Sequence, residues 1–98
     1  MRRVYRQGDV VLVQLDPYDA RTSALRNAER RDFVIVGEDG HRHVLENVLV
    51  VELGNHAIVA LEEPRVLKHD EHPWIAIDPG IYEVRTVRDY ALMNHVVD

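Results

Sequence analysis

The strongest constraint on the fold is a succession of short apolar, β-branched runs, each closed by a turn signal after 4–8 residues. Val10-Val11-Leu12-Val13-Gln14-Leu15 follows the turn-like Gln7-Gly8-Asp9 and stops at Asp16-Pro17. Five of its six residues are apolar, which predicts a strand buried on both faces, and proline cannot continue a ladder. Phe33-Val34-Ile35-Val36 is the next run. Glu38-Asp39-Gly40-His41 then holds the Asp-Gly pair of a type I′ hairpin, which predicts a return strand over 41–46. Runs over 48–53 and 56–61 flank Gly54-Asn55, a second hairpin signal. Residues 65–69 and 74–77 add two short strands, and Asp78-Pro79-Gly80 suits a type II turn. The alternation of 82–90 predicts a half-exposed strand with Tyr82, Val84 and Thr86 inward, and 91–98 a short closing strand or a frayed end.

Seven or eight short strands at this spacing predict an all-β fold: a small β-barrel or a compact two-sheet sandwich, one domain spanning 1–98. Residues 16–31 break the pattern. Ser23 can cap a helical turn over 24–30, but Leu25 and Ala28 are its only apolar anchors, so a flexible loop is expected there.

Composition narrows the function. No apolar run approaches the ~18 residues of a membrane-spanning helix, so no membrane partner is expected. With no cysteine there is neither a disulfide framework nor a thiolate metal site, and a reducing cytoplasm is the expected setting. A net charge of −5 argues against phosphate-backbone binding and hence against nucleic acid as the partner. The seven arginines within residues 1–31 leave room only for a local basic arm. The expected partner is a protein or small ligand, and exposed strand edges also allow a homo-oligomer.

The chemistry concentrates in two segments. Gly40-His41-Arg42-His43 and His69-Asp70-Glu71-His72-Pro73-Trp74 hold four of the six histidines. On a strand His41 and His43 leave the same face, about 6.5–7 Å apart at Cα, a span two imidazoles can close around one ion. His69 and His72 converge if their segment turns. His41, His43, His69 and His72 are therefore candidate ligands for a divalent ion, zinc or another first-row transition metal, with Glu71 as a fifth ligand or a hydrogen-bonding support. Solvated turn histidines are the competing reading, and for the unclustered His56 and His95 a structural role is expected. No nucleophile elbow or phosphate-cradling glycine loop accompanies these residues.

Taken together, RQGDVVLV (6–13), GHRH (40–43), HDEHPWIAIDPGIYEV (69–84) and RDY (88–90) resemble a family of small, mostly uncharacterised bacterial β-proteins. Its members carry a Gly-His-x-His element, a His-x-Glu-His-x-Pro-Ile-like segment and a Pro-Gly-x-Tyr strand. Pro73-Trp74 stands where that pattern has a small residue and proline. The resemblance implies that both histidine clusters are characteristic, and it brings no activity with it. A shorter stretch, Gly8 to Pro17, is similar to the opening strand of MazF-like toxin endoribonucleases, which are small β-barrels. That likeness implies a catalytic arginine and threonine near a basic loop, for which Arg21, Arg26 and Thr22 are the local candidates. Arg30-Arg31-Asp32-Phe33 departs from the Arg-Pro element of those toxins. The sequence thus predicts a histidine-rich binding or accessory module, with a toxin-like ribonuclease or a metal-free interaction module as the alternatives.

Overall fold

A computed structural model describes residues 2–89 of the chain. The strands are β1 (Val4–Gln7), β2 (Val10–Leu15), β3 (Glu29–Val36), β4 (Arg42–Glu52), β5 (Ala57–Leu61), β6 (Arg65–His69), β7 (Ile75–Ile77) and β8 (Gly80–Thr86). Every pairing is antiparallel, in the order β1-β2-β8-β5-β4-β6-β7, with β3 attached to β4. The sheet curls into a nearly closed barrel, as the strand pattern predicted. No main-chain ladder joins β1 to β6 and β7 among the described residues, and side chains bridge that seam instead. Gln7 Nε2 donates to Leu67 O (2.9 Å) and Pro73 O (3.0 Å). Nearer the other end, Tyr5 and Arg3 both reach the Asp78 carboxylate.

The core follows from side-chain alternation. Val10 and Leu12 of β2 and Tyr82 and Val84 of β8 turn inward onto Phe33, Leu45, Val59 and Ile77. Each such side chain contributes about 1.5–3 kcal/mol by leaving water. Tyr82 buries its ring edge-on to Tyr5 (centroids 5.8 Å apart) and donates its hydroxyl to Asp78 O at 2.7 Å. Burial first, then the neighbouring Tyr5, pushes the Tyr82 phenol up to about 12.

The opposite face of β2, β5 and β8 is buried too. Val11, Val13 and Ile58 are nearly inaccessible, and so are Glu83 and Arg85. The expected half-exposed strand is therefore corrected: Tyr82 to Arg85 are all buried, and β8 ends at Thr86. The charges are tolerated because they are paired. Glu83 accepts from Arg85 and from Arg21, both at 3.1 Å. Arg21 belongs to a 3-10 helix, Ala20–Asn27, lying within the segment read as a flexible loop. Asp19, rather than Ser23, caps that helix, accepting from the Arg21 amide at 2.8 Å while also gripping its guanidinium. Those bonds hold the Asp19 carboxyl well below the usual range.

Two further details differ from expectation. The separate strands predicted over 41–46 and 48–53 are one strand, β4, which passes through Asn47 at φ +54°. Asp32 stabilises this irregularity by accepting the Asn47 amide at 3.0 Å, where the β3 register shifts between Arg31 and Phe33. One half of β4 thereby pairs with β6 and the other with β5. At Asp39-Gly40 only the glycine has positive φ (+84°), so the turn is not type I′; Gly37 N instead bonds His41 O at 2.9 Å across a longer loop. β1 was not predicted at all: it is four residues long, and Val4 and Arg6 are exposed. The tail over 91–98 lies outside the described residues.

Gln7→Leu should leave two seam carbonyls and a buried imidazole nitrogen unpaired. A loss of about 3 kcal/mol or more is expected, read as a lower urea midpoint; unchanged stability would mean that the seam does not depend on this amide.

Candidate metal centre

One end of the barrel gathers three turns and two strand ends. The Gln7-Gly8-Asp9 turn joins β1 to β2, the 37–41 loop leads into β4, and the 70–74 loop leaves β6. His43 on β4 and His69 on β6 are direct cross-strand partners. Two glycines allow the turns to close over them. A Cβ on Gly8 (φ +57°) would lie 2.8 Å from His72 Nε2 and Cδ2 and 3.5 Å from His43 Cε1. A Cβ on Gly37 would overlap the Asp9 carboxylate.

Hydrogen bonding assigns the tautomer of each buried ring. Gln7 Nε2 is committed to two carbonyls, so its Oε1 faces His43 Nδ1 at 2.9 Å and must accept. In neutral His43 the proton is then on Nδ1 and Nε2 carries a lone pair. Among the described residues that Nε2 is buried without a hydrogen-bond partner, 3.4 Å from Asp9 Oδ1. His69 is the reverse. Its Nδ1 accepts the amides of Glu71 and His72, each at 2.9 Å, so the proton of the neutral ring is on Nε2. This Nε2 is also buried, with no partner among the described residues. His43 is 0% exposed and His69 6%, and their centroids stand 4.4 Å apart in an edge-to-face contact.

The remaining groups surround this pair. The His72 ring lies 4.5 Å from that of His69, and the His41 ring 5.6 Å away. His41 Nε2 is 2.5 Å from Glu71 Oε1 and its Nδ1 is 3.7 Å from Asp70 Oδ2, forming a rim ion pair when the ring is protonated. Asp39, His69 and His72 each offer a ligand atom, all within 4.8 Å of one another. The Asp39 carboxyl accepts the His41 amide at 3.0 Å, which chiefly lowers its pKa. Trp74 Nε1 donates to His69 O at 2.9 Å, fixing the 70–74 loop to the end of β6.

The structure thus brings His41, His43, His69, His72 and Glu71 to one pole, with Glu71 directed at His41 rather than at the buried pair. Sequence reasoning missed Gln7, Asp9 and Asp39, which read as ordinary turn residues. Their only available signal was position, next to Gly8 and Gly40. The arginine loop lies elsewhere. Arg21 is held by Asp19 and Glu83, the Thr22 hydroxyl donates to Asp19 O at 2.8 Å, and Arg26 donates to Ser23 O at 3.3 Å. His56 stands 3.7 Å from Glu83, while His95 is outside the described residues.

His43 and His56 both titrate below the usual histidine value. Burial is the main cause in each, followed by the charge of His69 and of Arg85, respectively. The unfolded chain then takes up these protons near pH 6.5, before the folded chain does. In metal-free protein this contribution to stability is full above about pH 6.5 and declines as pH falls toward the lower folded-state values. Denaturation midpoints measured across that window should decline for the wild type and decline less for His56→Gln; identical slopes would contradict the burial argument.

No curated protein and no solved structure matches this chain. A family model described as a domain of unknown function (DUF8820) matches residues 6–87. The chain therefore belongs to that family, and the matched span contains every residue of the histidine pole.

Proposed function

We propose that this protein is a small binding or accessory module whose histidine pole holds one divalent first-row transition metal ion, such as zinc. The observation that carries this reading is a pair of buried imidazoles, His43 and His69, whose Nε2 atoms lack hydrogen-bond partners among the described residues and stand near His72, Asp9 and Asp39. Leaving such polar atoms unsatisfied is costly, and an ion that accepts their lone pairs or a functional role would account for it. The donor set suits zinc better than calcium or magnesium, which favour all-oxygen coordination. The candidate ligands are His43, His69 and His72 with the nearby carboxylates, and the His41–Glu71 pair sits at the rim. Protons compete for the same nitrogens, so affinity should weaken on acidification.

Elemental analysis of untagged protein, purified without chelators and then offered zinc, should find one ion per chain. A ligand at a hundred times its Kd should add about 2.7 kcal/mol of stability, seen as a higher melting temperature. Both effects should vanish in the His43→Ala/His72→Ala double variant. Failure of wild-type protein to take up any metal would remove this reading.

A second reading, an interaction module, is favoured by β3. This strand pairs only with β4 among the described residues, and its Val34 and Val36 are exposed. An open edge of this kind can pair with another strand. If it does, Val36→Lys should abolish any concentration-dependent increase in mass seen by light scattering; a mass that never exceeds the monomer's would count against self-pairing through β3.

A further inference from the structure

We infer that the groove beside the histidine pole binds a small aromatic carboxylate once the pole holds its ion, an inference that rests on the metal reading.

The groove runs along the outer face of β4 and β6, beside Trp74 of the loop that follows, and has a volume of about 260 Å³. The cross-strand pairs His43–His69 and Val44–Lys68 give its direction. Along that register Arg42 and Asp70 stand at the pole end, Val44 and Lys68 in the middle, and Glu46 at the far end. His69 belongs to both places. It lines the groove, and with Asp39 and His72 it forms the group whose ligand atoms lie within 4.8 Å of one another. An ion on that group would border the groove.

Val44 and the exposed indole of Trp74 supply the apolar surface. The indole is held before any ligand arrives, because its Nε1 donates to His69 O at 2.9 Å, so binding need not order it. A flat ring suits an indole wall, through offset or edge-on contact between the two π-systems. The volume lies below the roughly 300–1,000 Å³ of sites for drug-sized ligands, which limits the occupant to about one substituted ring.

Charge selects the substituent on that ring. Lys68 is committed to Glu46 at 2.9 Å and stands 5.3 Å from the indole centroid, whereas no ion pair joins Arg42 to any described residue. Asp70 Oδ2, the remaining charge, lies 3.7 Å from His41 Nδ1. Two cations and two carboxylates balance formally, so the metal-free groove has little preference for either sign. A divalent ion on one aspartate and two neutral imidazoles adds a net positive charge at the pole end. That tips the groove toward anions, and Arg42 offers a planar fork that a carboxylate can accept through two parallel hydrogen bonds. Zinc and the carboxylate are then linked, each tightening the other by the same factor.

The test is calorimetric titration of the full chain, metal-free and zinc-loaded, with benzoate as the probe. Zinc-loaded wild type should bind benzoate at least about tenfold more tightly than metal-free protein does, and benzoate should tighten zinc binding by the same factor. Acetate lacks the ring and benzyl alcohol lacks the charge, so each should bind at least about tenfold more weakly than benzoate. Arg42→Gln, at an exposed position, should still take up one zinc per chain and lose about tenfold in benzoate affinity. Zinc uptake without benzoate binding, or with undiminished benzoate affinity in Arg42→Gln, would overturn this inference and leave the metal reading intact. Equal affinity for acetate and benzoate would do the same, as would benzoate binding that ignores zinc. A wild type that takes up no zinc would overturn both readings.

Discussion

The carboxamide of Gln7 is the interaction on which the rest of the structure depends. Its NH₂ group holds two carbonyls on the far side of the barrel seam, and its oxygen holds His43. One buried planar group thus bridges the seam at the histidine end of the barrel and determines which imidazole nitrogen presents a lone pair. A carboxylate could not replace it, since a carboxylate has no proton for the two carbonyls. A hydrocarbon could fill the space but would orient nothing. The seam at this end of the barrel and the chemistry of the pole thus share a residue, so a change at Gln7 touches both.

Much of the architecture was legible because burial on both faces leaves a continuous apolar trace. β2 is the plainest case: five of its six residues are buried and none carries a charge. β8 hid the same condition. Glu83 and Arg85 looked solvent-facing, yet they pair with each other and Glu83 also with Arg21, more than sixty positions upstream, a compensation local pattern cannot reveal. The 3-10 helix over 20–27 was obscured for a related reason. It has no buried residue, and its attachment is ionic rather than apolar.

The pole was partly legible. Histidines crowd visibly in the sequence, and the turn after His69 brings His72 back toward it as the Glu71 and His72 amides both donate hydrogen bonds to one ring nitrogen. Gln7 and Asp9 were invisible because nothing at short range distinguishes them from turn residues. Their roles arise only when β1, itself only four residues long, is laid against β2 and brought round to β6 and β7. Side chains that read as redundant in the sequence also separate into different settings in space: His43 is oriented by Gln7, His69 by two backbone amides, and His41 stands at the rim beside Glu71.

The position of Trp74 carries a practical consequence. It is the chain's one tryptophan and is more than half exposed, with its indole N–H tied to the last residue of β6 and the Lys68 ammonium 5.3 Å from its ring. Its emission therefore comes from one place, the loop that carries His72, and is sensitive to how that loop is held. The chain has an intrinsic optical reporter at its histidine pole, so changes there can be followed without a label or an added chromophore.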